Sequence, residues 1–199
     1  KALVIDTRDK KDFAKGYIPG SLFFGLDGSF AQWVGALIED LNTPILFVCD
    51  KGREEEVVVR LSRVGYDNPI GYLEGGFESW KEAGEKVETI DEVSAEEFAK
   101  IYDKSTMNLL DVRKCSEYNA EHVKGAMKFP LDFIYRELSE VKPENKYYMY
   151  CKSGYRSLLA ASILKKQGFD KLVNIQGGME EIVNTPLELT EYVEQNTEL

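Results

Sequence analysis

The sequence predicts an α/β protein of two tandem domains, each a mostly parallel sheet flanked by helices. Three observations predict it. The chain is written twice, strand-like apolar runs alternate with helix-like segments of about ten residues, and 199 residues suffice for two domains of roughly 100 each.

The first copy opens on the strand Val4-Ile5-Asp6-Thr7-Arg8, followed by Phe13, Ile18, Gly20, Leu26 and Asp27. The series recurs 105 positions later as Leu109-Leu110-Asp111-Val112-Arg113 with Tyr118, Val123, Gly125, Leu131 and Asp132. Cys49 and Gly52 then match Cys151 and Gly154, Gly65-Tyr66-Asp67 matches Gly168-Phe169-Asp170, and Gly75-Gly76 matches Gly177-Gly178, at separations of 102 or 103. Short loop deletions explain the drift, and an ordered series of this length is the mark of a duplication. The junction is placed in the polar stretch Glu85 to Asp91, after the Gly84 stop, giving domains 1–88 and 89–199. Ser94 and Glu97 form a capping-box pattern ahead of Phe98 and Ile101, so the second copy gains a helix that the first lacks. Met107 to Val112 and Lys146 to Tyr150 read as strands, Leu158 to Gln167 as a helix stopped by Gly168, and Leu172 to Ile175 as a third strand. The Tyr147-Tyr148-Met149-Tyr150 run is a strand with aromatic packing, and Glu191 to Leu199 a solvated tail. Because the first copy starts directly on its strand without an initiating Met, the sequence reads as cut from a longer polypeptide.

A hydrophobic fraction of 43% with 30% charged residues fits a globular chain and excludes wholesale disorder. The formal charge of -10, without a Lys/Arg stripe, argues against nucleic acid as a partner. No apolar run approaches the ~20 residues that cross a bilayer, so the protein is expected to be soluble, with no membrane association and no signal peptide. Three cysteines (Cys49, Cys115, Cys151) and one histidine (His122) show no metal-ligand spacing, so neither a metal nor a cofactor is expected, and free thiols suit the cytoplasm.

Strand-to-helix loops at the carboxyl ends of parallel strands collect function, and both Cys49 and Cys151 stand there. Cys151 is followed by Lys152-Ser153-Gly154-Tyr155-Arg156-Ser157 and a helix. A helix N-terminus presents unpaired amides and about half a positive charge, and Lys152 and Arg156 add to it, which together favour a thiolate. Gly154 lets the loop curl with positive φ so that its amides form an anion cradle. Cys151 is therefore the candidate nucleophile, attacking the outer sulfur of thiosulfate or a persulfide, with Lys152 to Ser157 binding the substrate. In the first copy, Cys49-Asp50-Lys51-Gly52-Arg53 runs into Glu54-Glu55-Glu56, and carboxylates suit a helix start but not an anion pocket. Cys49, Gly52, Arg53 and Glu54 thus form a degenerate site, silenced by its carboxylates.

The loop Cys151 to Arg156 resembles the C-x-x-G-x-R active-site loop of the rhodanese (thiosulfate sulfurtransferase) family. Asp111-Val112-Arg113, Glu117-Tyr118, His122-Val123-Lys124-Gly125-Ala126 and Gly177-Gly178 resemble its flanking motifs, and the weaker first copy extends the likeness over the whole chain. The resemblance implies a sulfurtransferase, with Asp111 and Arg113 organising the domain as an internal ion pair. In that family a six-residue loop accompanies sulfur substrates, whereas phosphatases and arsenate reductases have one residue more; this loop has six. Ile182 departs from the family's Trp, which the first copy keeps as Trp80, and is read as a packing change. Tyr155 is expected to shape the pocket mouth, His122 to be structural and Cys115 an ordinary thiol. The implied partners are thiosulfate, glutathione persulfide or a thiol carrier protein. Two alternatives stay open: the rhodanese portion of a persulfide-oxidising metallo-β-lactamase-fold fusion, whose metal-binding domain would precede this sequence, and a non-catalytic docking module.

Overall fold

The structure of the chain is a computed structural model that describes residues 2–190. The stretch expected as a terminal tail lies outside the described residues. The chain forms two compact units, one of residues up to Asp91 together with Ala161–Gly168, the end of the helix that follows the second cysteine loop, and the other of the remaining residues from Glu92.

In the first unit, β1 (Leu3–Asp6), α1 (Lys10–Lys15), β2 (Leu22–Phe23), α2 (Phe30–Leu37), β3 (Ile45–Val48), α3 (Glu54–Ser62), β4 (Pro69–Tyr72) and α4 (Gly76–Glu82) alternate. The sheet is parallel in the order β2-β1-β3-β4, which the helical crossovers require. Asp9 caps α1 by accepting from the Lys11 amide, and Phe13 on that helix stacks on Tyr17 inside the core.

The second unit repeats the plan with an addition. A strand β5 (Asp91–Val93) and helix α5 (Ala95–Ile101) come first. They are followed by β6 (Asn108–Asp111), α6 (Cys115–Ala120), β7 (Met127–Lys128), the short α7 (Ile134–Glu137), β8 (Tyr147–Tyr150), α8 (Tyr155–Lys166), β9 (Leu172–Ile175) and α9 (Met179–Ile182). The sheet order is β5-β9-β8-β6-β7, which without β5 is the order of the first unit. The Ser94–Glu97 capping box forms in both directions, and it starts α5 so that Ala95 and Phe98 join the buried cluster holding Leu109, Tyr148, Tyr150 and Ile175. All four residues of β8 are buried, as expected of a central parallel strand covered on both faces.

The helix expected from Leu158 begins three residues earlier, at Tyr155. Apolar periodicity marks only the buried stripe of a helix, whereas Gly154 at φ +96° already delivers the chain into helical geometry. Tyr155, Arg156 and Ser157 therefore stand on the first turn. Each unit also clips its own last segment to the residue beyond its first crossover helix. Tyr17 and Glu88 exchange both backbone hydrogen bonds, while Lys124 donates to Glu188 O and Thr190 to His122 O.

Candidate active-site loop

Strand β8 hands the chain to Cys151 at its carboxyl end, and the positive φ of Gly154 turns the loop back over the cysteine. Two donors converge on Cys151 Sγ. The Gly154 amide lies 3.1 Å away and Ser157 Oγ 3.5 Å, the latter also 3.2 Å from Gly154 O. Cys151 is 1% exposed and Ser157 fully buried, so these donors act where water does not compete.

The loop is supported from below by the start of α9. Met179 N–H donates to Cys151 O (2.8 Å) and Glu180 N–H to Lys152 O (3.1 Å). Gly178 sits so close that a Cβ there would meet Cys151 O at 2.3 Å, and its φ is +58°. The first copy has the same plan with more room, a Cβ on Gly76 meeting Cys49 O at 3.3 Å. The paired glycines were visible as a repeat, but their contact with the cysteine loop was not.

Arg156 turns from the loop to Glu117 on α6 in a bidentate pair of 2.5 and 2.9 Å. This pairing holds the Glu117 carboxyl below the usual carboxylate range. Burial opposes the charge of Arg156, but the Glu117 hydrogen bonds and the field of Cys151 outweigh it and raise its pKa. Glu117 is the site residue that sequence reasoning missed, although it lies inside the quoted Glu117-Tyr118 motif. Lys152 is exposed, with Nζ 3.8 Å from Glu180. Ser153 and Tyr155 are half-buried, and burial pushes the Tyr155 phenol up.

Asp111, at the end of β6, accepts from Arg113 Nε (3.0 Å) and from the terminal guanidinium nitrogen (2.6 Å), which also reaches Glu121 O at 2.6 Å. Asp6 and Arg8 repeat the pattern, with Gly16 O in place of Glu121 O. Both pairs are buried within their units. His122 stacks on Tyr118 at 3.6 Å, its ring nitrogen 2.7 Å from Tyr118 O. Cys115 is the half-buried first residue of α6. Among the described residues, no group of three or more His, Cys, Asp and Glu gathers to hold a metal ion.

The Cys49 loop has the same shape and different bonding. Gly52 keeps the positive φ (+85°), but its amide donates to Glu54 Oε1 at 3.1 Å and not to a sulfur. Arg53 is engaged by Asp27 (2.8 Å twice) and Glu56 (2.8 Å). The Cys49 thiol is pushed up to about 11, by burial first and by Glu54 and Asp50 after it. Burial, which a linear charge pattern does not display, adds to the effect of the carboxylates. A cleft of about 480 Å³ lies before this loop, lined by Cys49, Lys51, Phe77 and Lys81 among others.

Comparison with known proteins agrees with this duplicated plan. The family model of the Rhodanese-like domain matches residues 1–83 and again 94–185. A putative sulfur carrier protein of Bacillus subtilis, YrkF, is 37% identical over 98 residues, covering 49% of this chain and 53% of the relative. A sulfurtransferase of Allochromatium vinosum is 28% identical over 91 residues, covering 45% of this chain and 85% of the relative. Among solved structures, a thiosulfate sulfurtransferase of Pseudomonas aeruginosa matches 96% of this chain and 41% of its own, at 19% identity and a TM-score of 0.44. The chain thus spans about half the length of the first of these relatives. With both units matched in order by one family model, the chain belongs to the Rhodanese-like domain family, of which it carries two tandem copies.

Proposed function

We propose that this chain is a sulfurtransferase that moves a sulfane sulfur through a persulfide on Cys151, with the unit from 89 to 199 active and the unit from 1 to 88 inactive. The observation that carries the reading is the pair of donors on Cys151 Sγ inside a six-residue loop: an ionised sulfur there is met by the Gly154 amide and Ser157 hydroxyl. Relatives named as a sulfur carrier and a sulfurtransferase support the general role.

In the forward half-reaction the Cys151 thiolate attacks the outer sulfur of thiosulfate. The new S–S bond forms as the old one breaks, and sulfite departs with the electron pair. The terminal sulfur then carries the negative charge, and the amides of the loop that already sends Gly154 N–H to Cys151 Sγ are its proposed donors. In the second half-reaction a nucleophile takes that sulfur and Cys151 leaves as thiolate, so no net oxidation occurs. Acceptors of this chemistry are cyanide, glutathione or a thiol carrier protein, and glutathione persulfide is an equivalent donor. Arg156, tied to Glu117 and with its charge balanced there, fixes the first helical turn. Asp111 and Arg113 hold the neighbouring strand end. We place the protein in the cytoplasm, where thiols stay reduced.

The deciding experiment is intact-protein mass spectrometry after exposure to thiosulfate. Wild type gains the mass of one sulfur atom and Cys151→Ser does not. An unchanged adduct in Cys151→Ser, or its loss in Cys49→Ser instead, overturns the assignment.

A further inference from the structure

Two loops of one shape point the same amide in different directions. Gly154 N–H ends on Cys151 Sγ at 3.1 Å, and its counterpart Gly52 N–H ends on Glu54 Oε1 at 3.1 Å. Glu54 is the counterpart of Arg156, the first helix having retained a carboxylate where the second places a guanidinium. Around Cys49 the other charged groups include Asp50, Asp6, Arg53, and Arg8 and Lys51 of the cleft, and Arg53 is committed to Asp27 and Glu56. The backbone half of the cradle therefore survives in the first unit, with Gly52 still at φ +85°.

We propose that Glu54 is the residue that closes the Cys49 loop of the first unit, and that it acts by occupation: its carboxylate is the resident anion of the loop and takes the amide that would otherwise serve the sulfur. The reading of the six-residue loop as an anion cradle underlies this. Occupation differs from repulsion in what it demands. A carboxylate that merely repels needs its charge, and salt weakens it, whereas one that occupies needs only its oxygen on the amide. Glu54 is half-buried at the start of α3, where salt weakens its field, while its hydrogen bond of 3.1 Å from the Gly52 amide is not dissolved by salt. Its neighbour Glu56 does not share the role, since it is engaged with Arg53 and Arg60.

The test separates occupation from charge with two variants of one side chain. Glu54→Gln keeps an oxygen for the Gly52 amide and loses the charge; Glu54→Ala loses both. The reading is the rate at which Cys49 alone is alkylated by iodoacetamide, a neutral reagent, followed by peptide mapping in about 1 M salt, where the Debye length is about 3 Å. Glu54→Ala accelerates Cys49 alkylation at least tenfold and Glu54→Gln less than threefold. Equal acceleration in both variants would show that charge alone closes the loop. No acceleration in either would leave burial as the whole cause. Either result overturns the proposal, and neither touches the Cys151 assignment, which rests on a different thiol.

Discussion

Cys49 and Cys151 follow equivalent strands and differ in what their neighbours donate. Cys151 receives two hydrogen bonds, while Cys49 is buried beside carboxylates with its thiol pushed up to about 11. At pH 7 a thiol of that pKa is ionised to about one part in ten thousand. The residue that most distinguishes the active-looking loop is Glu117, which neutralises Arg156 without leaving the site. Glu117→Gln leaves a half-buried guanidinium with a weaker partner, and we expect a loss of about 1–2 kcal/mol, read by denaturant unfolding at pH 7. The sign follows from linkage. A carboxyl lowered in the fold adds stability that is present above its unfolded pKa of about 4.3 and is lost as pH falls through the folded value. The wild-type advantage over Glu117→Gln should therefore shrink below about pH 4.5; an advantage that is constant down to pH 3 would disprove the linkage.

At the scale of elements, the site is a strand end, a loop and two helix starts. The least replaceable part is the turn into α9, where Gly178 lies against the carbonyls of Cys151 and Lys152. Gly178→Ala adds a strained positive φ to an overlap with backbone that has no side chain to move aside. We expect about 2–4 kcal/mol of destabilisation and displacement of the cysteine loop. Gly76→Ala in the first unit meets Cys49 O only at 3.3 Å and should cost less than half as much. Thermal unfolding of both variants checks the order, and equal losses would mean that φ alone matters. The glycine pairs were legible in the sequence as repeats. Their role was not, because the contact joins residues 27 positions apart, from Cys151 to Gly178.

At the scale of the whole molecule, duplication supplies two sheets of one order and unequal coverage. Val4, Leu46, Leu73 and Trp80 are partly exposed where their counterparts Leu109, Tyr148, Ile175 and Ile182 are buried, because among the described residues only the second unit carries β5 and α5. The proposed assignment of activity to Cys151 alone predicts that the chain saturates at one sulfane sulfur, measured as cyanide-releasable sulfur per mole of protein; two equivalents would make both loops active. By itself the sequence determined the α/β class, the duplication and the membership of both copies in one family. These are written in spacing and residue type, which survive in one dimension. Only the tertiary structure decided that Glu117 holds Arg156, that α9 braces the loop and that Glu54 takes the Gly52 amide. Each of those depends on where a side chain or amide points once distant segments have met, and direction is the one property that a linear pattern does not carry.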